Sequence, residues 1–316
     1  MRTVPSQFSE QLPTKPATHV FCISFEDRCL AYPRILAQLK LPGNSHTLLC
    51  LVPPDDGVGG ELQKRRAENK SHIYELLPAI RTGSISELVR QLMDAPPPDS
   101  IYLDISAMPR RAIFDILIAI ADQRFESTRV FILHADPEAY HHGALQTPDP
   151  GMSPYFDAQL PRAMKTSVLM FPGFDLAYSL VALTYIEAAT GPHPHTKWLF
   201  SFPGRTYAFY QRARETHLHL VGNSEVSLYP QYHIQLAFER LRTELFGSEL
   251  IVLVPLGPRI TCVSIFLACL WARQCDRHVE VLVPRTGKYT SLRSSGSCEP
   301  MIEEITPILR TSRQTQ

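Results

Sequence analysis

Short, nearly unbroken apolar runs alternate along the chain with longer stretches in which apolar positions recur every three or four residues. The first pattern suits strands buried on both faces, the second helices packed by one face. HVFCISF (19–25), HTLLCLVP (46–53), SIYLDIS (100–106) and RVFILHA (129–135) read as strands. Helical character follows the first of them as far as Leu39. SISELVRQLMDA (84–95) opens on a serine cap and stops at three prolines, and a further helix runs to about Asp122. Residues 141–161 are rich in Pro, Gly, Asp and His and read as an irregular connection. TSVLMF and DLAYSLVALTYIEAA make one more strand and helix before a second break, GPHPH (191–195).

The rhythm then restarts. KWLFSF (197–202), HLHLVG (217–222), ELIVLVPL (249–256) and HVEVLVP (278–284) read as strands, with helices from about Arg205, over 231–245 and up to about Gln274. The last dozen residues read as frayed. Alternation of this kind predicts an α/β chain of two Rossmann-like halves, each with a parallel sheet. The division expected is a loose arm (1–17), a first half (18–165), a connecting strand, helix and linker (166–195) and a second half (196–316).

The halves also carry matching motifs, which points to a duplication. Sliding the first by 149 residues places Pro109 and Arg110 on Pro258 and Arg259 (109 + 149 = 258). A different slide, of 177, places Ser24, Phe25 and Arg28 on Ser201, Phe202 and Arg205 (24 + 177 = 201). All four motifs follow strands, where open parallel sheets bind ligands. Arginine in the first turn of a helix is repelled by the exposed N–H groups unless an anion is present. With the rims facing across a cleft between the halves, Arg28, Arg110, Arg205 and Arg259 would surround one phosphorylated ligand, with Arg111, Ser24, Ser106 and Ser201 beside them. GKYTSLRSSGSC (287–298) offers Lys288, Tyr289, Ser294 and Gly296 as a cap.

Composition narrows the classes. Lys plus Arg and Asp plus Glu are 31 each, so there is no basic excess of the kind that coats nucleic acid. No apolar run reaches the length of a membrane span, and the N-terminus lacks the apolar segment of a signal peptide, so a cytoplasmic protein is expected. The seven cysteines form no C-x-x-C pair and read as buried, reduced thiols. His134, Asp136, His141 and His142 are metal-capable types without ligand spacing, and read as a loop over the rim. No P-loop, G-x-G-x-x-G or G-x-S-x-G occurs, and no cofactor or metal is called for.

The strand–DISAMPRR–helix junction resembles the ligand loop of CARF sensor domains, which bind cyclic oligonucleotides. DIS-x-M-P-R, PLGPR and the KY-x-S-x(2)-S-S-G ending are similar to an uncharacterised bacterial family associated with phage-defence gene clusters. These resemblances imply a sensor or accessory protein with a nucleotide ligand and a protein partner from a multi-gene system. Two other readings stand beside it: an enzyme acting on a nucleotide or sugar-phosphate with Asp104 as the chemical group, and a protein-binding scaffold without a small ligand.

Overall fold

The computed structural model describes residues 16–39, 45–54, 59–140, 150–156, 160, 165–192, 194–202, 207–246, 249–285 and 294–312. The chain folds as two compact units, Met1–Ala144 with Tyr289–Pro307 and Leu145–Lys288 with Ile308–Gln316.

Unit 1 has five parallel strands, β1 (Ala17–Cys22), β2 (His46–Leu51), β3 (Arg81–Gly83), β4 (Ser100–Asp104) and β5 (Arg129–His134). A short pair follows in chain order as β6 (Ala139–Tyr140). Unit 2 opens on β7 (Gly151–Pro154) and continues with β8 (Thr166–Phe171), β9 (His195–Ser201), β10 (Glu225–Tyr229), β11 (Leu250–Pro255) and β12 (His278–Arg285). The chain ends with β13 (Ser294–Ser295), paired to β6, and β14 (Met301–Glu304).

The sheet orders are β14-β5-β4-β1-β2-β3 and β10-β9-β8-β11-β12-β7. Numbering the parallel strands of each unit one to five, both read 3-2-1-4-5, the doubly wound Rossmann order. In both, an antiparallel strand lies outside the fifth, β14 on β5 and β7 on β12. The two α/β halves therefore share one topology. Four of the five equivalent strands begin 149 or 150 residues apart (166 − 17, 195 − 46, 278 − 129; 250 − 100).

That register revises the expected layout. β8, read from sequence as part of a connection, is the inner first strand of the second sheet, between β9 and β11. The slide of 177 pairs loops that are not equivalent: SFEDR follows a first strand and SFPGR a second. The counterparts of Ser24 and Arg28 are Gly173 and Ala177 (24 + 149, 28 + 149). HLHLVG is not a strand but the end of the helix Tyr207–Val221, and the third strand of unit 2 is β10. Its alternation arises because His217 is buried, bonded to Ser179 Oγ and Ala213 O at 2.8 Å each, while Leu218 is exposed. Part of the stretch read as frayed is helical: after β14, Thr306 Oγ1 accepts from Val130 N at 2.8 Å at the head of the helix Thr306–Thr311.

Right-handed crossovers place the helices of each unit on both faces of its sheet. In unit 1, Phe21, Ile23, Tyr102, Phe131 and Leu133 pack with Ile35, Leu36 and Ile73 from the helices Ala31–Leu39 and Gly60–Leu76. The helices Ile85–Asp94 and Arg110–Ile120 pack together on the unit. The expected serine cap is present as a capping box. Ser84 N donates to Glu87 Oε2 at 2.7 Å, and Glu87 N returns to Ser84 Oγ. In unit 2, Val168, Met170, Trp198, Phe200 and Val252 pack with Ala182 and Ile186 of the helix Leu176–Thr190. Five of the seven cysteines are buried. No helix among the described residues is long and apolar enough to cross a membrane.

Several polar groups lie inside this core, His19 among them. His19 on β1 is fully buried, with Nδ1 2.7 Å from the Tyr32 hydroxyl and Nε2 2.9 Å from His46 Nδ1, and stacks on Tyr102 at 5.1 Å. Burial, and then the neighbouring His46, push its pKa down to about 3. The unfolded chain therefore takes up this proton first as pH falls. The contribution of His19 is complete above the ordinary histidine pKa of 6.5 and is lost as pH drops from there towards 3. In urea unfolding between pH 7 and 4, His19→Gln should flatten this acid loss by about 3 kcal/mol. An unchanged slope would show that His19 is not held neutral.

Candidate functional site

In a 3-2-1-4-5 sheet the winding reverses between the first and fourth strands, and the crevice beyond their carboxyl ends is where ligands lodge. In unit 1 that crevice is built from the segment after β1, the segment after β4 and the end of β5. The chain after β1 turns through Ser24, whose Oγ accepts from Glu26 N at 3.2 Å and whose carbonyl accepts from Asn69 Nδ2 at 2.9 Å. The 3-10 turn Asp27–Leu30 then places Arg28 against Glu26. Arg28 Nη2 donates to both Glu26 oxygens at 2.9 and 2.8 Å, and Nε donates to Oε2 at 3.3 Å. Both side chains are buried. Arg28 thus carries its own counter-ion within the loop that presents it.

After β4 the chain turns back on Asp104. Ser106 donates to Asp104 Oδ1 from its backbone N at 2.9 Å and also from its hydroxyl, and Ser106 Oγ accepts from Ala135 N at 2.8 Å. Asp104 and Ser106 are both buried. Removal from water pushes the Asp104 carboxyl up to about 6, against the opposing pull of the Ser106 bonds, His134 and Arg28. His134, at the end of β5, lies 3.0 Å from Asp136 Oδ1 through Nε2.

A segment from the far end of the chain closes this corner. Ser294 Oγ donates to Glu26 Oε1 at 2.9 Å, Gly296 N donates to Asp27 Oδ2 at 3.1 Å, and Cys298 N donates to Asp136 O at 2.9 Å. Gly296 turns at φ +67, and a Cβ there would press on the Glu138 side chain. Arg65 holds the other oxygen of Asp27 at 2.6 Å. Ser24, Arg28, Asp104, Ser106, Ser294 and Gly296 are therefore brought together, joined by Glu26, His134 and Asp136.

Arg110 and Arg111 stand at the other side of the same switch point. They open the helix Arg110–Ile120 after Pro109, with no side-chain cap; Arg110 is half-buried and Arg111 exposed. In unit 2 the arginine stands one position earlier relative to its helix: half-buried Arg259 is the N-cap of the helix Ile260–Gln274, which also has no side-chain cap. Pro109-Arg110 and Pro258-Arg259 thus occupy the same corner of the same topology, after the fourth strand.

The rest of the unit 2 crevice is differently made. By strand pairing, Asp104, Ser106 and His134 have Val254, Leu256 and Val283 as counterparts (104 + 150, 106 + 150, 134 + 149). The loops after β8 and β11 meet backbone to backbone: Leu256 N and Gly257 N both donate to Phe171 O at 2.9 Å. A Cβ on Gly173 would fall 2.3 Å from Leu256 O, so only glycine fits. Ser201 ends β9 with a buried hydroxyl that has no hydrogen-bond partner among the described residues. Arg205, Lys288 and Tyr289, and with them His141 and His142, lie outside the described residues. Among the described residues no group of three or more His, Cys, Asp or Glu is placed to hold a metal ion.

The raised Asp104 pKa has a sign opposite to that of His19. A buried acid pushed up from 3.8 to about 6 contributes stability below pH 4 and loses it as pH rises through 6. Asp104→Asn keeps an acceptor for Ser106, so it should grow more stable relative to wild type between pH 4 and 7, by about 2–3 kcal/mol in chemical unfolding. A constant difference across that range would place the carboxylate in a wetter setting than the one described.

No family model matches the chain, and no curated protein does. Among solved structures the chain is similar to a universal stress protein from Archaeoglobus fulgidus DSM 4304, at 10% identity, covering 88% of this chain and 99% of that one with a TM-score of 0.24. A likeness that slight carries no argument; the doubly wound order of the two sheets stands on its own strand pairing.

Proposed function

We propose that this protein binds a phosphorylated ligand of the nucleotide class at the carboxyl-end rims of its Rossmann-like units, as a sensor or accessory protein. The observation that supports this best is the repeated corner. In each unit the fourth strand leads into an uncapped helix headed by arginine, Arg110 with Arg111 in one and Arg259 in the other. A cation at a helix N-terminus opposes the local dipole, and a bound phosphate offsets both charges. Keeping that arrangement at the same place in both units, while Asp104, Ser106 and His134 differ, fits a recurring anion contact better than a packing need. Arg28 belongs to the surrounding frame, since Glu26 already neutralises it. Ser106, Ser294 and Gly296 belong to that frame too, since their donors are held by Asp104, Glu26 and Asp27. The motif resemblance to CARF sensors and to the phage-defence family supports a bacterial defence setting with a protein partner.

The test is a thermal-shift panel of inorganic phosphate, pyrophosphate, ATP and cyclic di-AMP. Wild-type protein should be stabilised by at least one of them, and Arg110→Glu and Arg259→Glu should each weaken that binding by about ten- to a hundred-fold. If no member of the panel stabilises wild-type protein, the reading fails.

A second reading is favoured by one observation: Asp104 is buried, bonded to Ser106 and raised to about 6, as a general acid or base working near neutral pH requires. Turnover of ATP or a sugar-phosphate that disappears in Asp104→Asn would move the assignment to an enzyme.

A further inference from the structure

The two units serve as internal controls for one another, because they share a topology and a register. What one unit carries at a given corner and the other omits is not required by the fold. The largest such difference, apart from the Asp104 group, lies where β9 leads into the helix Tyr207–Val221. Phe202, Tyr207, Phe209 and Tyr210 stand there in unit 2; the corresponding stretch of unit 1, from the end of β2 into the helix Gly60–Leu76, has no Phe, Tyr or Trp before Tyr74. The unit 1 corner folds with none of these rings.

In unit 2 the rings stand in two groups at the carboxyl ends of β8 and β9. Tyr210 is met by Phe202 at 5.6 Å and by Tyr207 at 5.8 Å between ring centroids. Phe174, in the loop after β8, meets Phe209 at 5.9 Å, and the Arg212 guanidinium lies 5.2 Å from the Phe174 ring centre. These are ordinary separations for interacting rings. The surface is open: Phe202 is 39% and Tyr207 62% exposed, the latter the most exposed large apolar side chain among the described residues. Rings left in water at the ligand edge of a parallel sheet present π faces, and the helix that carries Tyr207 also carries Arg212, on the second ring group. Aliphatic cargo would need no such faces, and a bare phosphate would need no rings.

We propose that this rim is a stacking subsite for a planar heteroaromatic ring, the base of a nucleotide, with Phe202 and Tyr207 as the faces it lies against and Arg212 drawing the attached phosphate. The proposal deepens the phosphorylated-ligand reading and rests on it for the phosphate, but the base contact stands on the rings alone. Stacking on aromatic side chains tolerates different bases, so the subsite favours nucleotides as a class over base-free phosphates.

The experiment is calorimetric titration of the full chain with AMP, GMP, CMP and UMP, with ribose 5-phosphate as the base-free probe and adenosine as the phosphate-free one. At least one nucleotide should bind tenfold or more tightly than ribose 5-phosphate. The double variant Phe202→Ala, Tyr207→Ala should lose that advantage at unchanged melting temperature, because both side chains are exposed; Tyr207→Phe should keep it. Equal binding of nucleotides and ribose 5-phosphate, or full nucleotide affinity in the double variant, overturns the subsite. Adenosine binding as tightly as AMP would keep the subsite and remove the phosphate reading. No binding by any of the six probes removes both.

Discussion

The parallel pairing of a fourth strand onto a first, β4 onto β1 and β11 onto β8, governs the arrangement of each unit. Once those two strands are neighbours, the second and third must add on one side and the fifth on the other, and right-handed crossovers send the helices to opposite faces. The loops that follow the paired strands then diverge, and the gap between them is the one place on the sheet where side chains and helix starts from two directions converge. Arg28, Asp104, Ser106 and Arg110 meet at such a gap, and Arg259 stands at its counterpart, because of strand pairing and not because of nearness in the chain.

The same constraint has been met in two chemical styles. In unit 1 the gap is lined with buried charge: Glu26 against Arg28, Asp104 under Ser106, His134 with Asp136. Buried charges persist only when paired or bonded, and each of these is. In unit 2 the gap is shut by backbone, with Gly173 under Leu256 O, and the chemistry moves outward to exposed rings. One topology holds an acidic, desolvated pocket frame and, elsewhere, a flat aromatic edge.

Much of the architecture was legible in the apolar rhythm, and the exceptions have physical causes. Buried strands such as VFILH announce themselves because nothing polar survives on either face. β3 is three residues long, and the helix Gly60–Leu76 is almost wholly polar, so neither carries enough apolar pattern to be read. HLHLVG imitates a strand because a buried histidine breaks the helical period. The repeated corner at Arg110 and Arg259 was visible as a motif, and the local pairing of Glu26 with Arg28 was visible as adjacency. What could not be seen was partnership at long range: that Ser294 reaches Glu26, or that Asp104 is desolvated. Four aromatic residues between 202 and 210, in a chain that is 9% aromatic, were the signal that pointed to the unit 2 rim.

The return of the chain end to unit 1 makes the two units unequal in how they are assembled. β14 zips onto β5 only after the long segment of unit 2, Leu145–Lys288, has been passed, so unit 1 is split in sequence, and only Ile308–Gln316 of unit 2 comes later. During synthesis the second unit has all its strands in hand before the first has its last edge, and Phe131–His134 wait with one side of their ladder open. The units also cannot be parted by a single cut: severing the chain at the junction near Ala144 leaves unit 1 still holding the tail of the other fragment by a strand, a serine on Glu26 and a threonine on Val130.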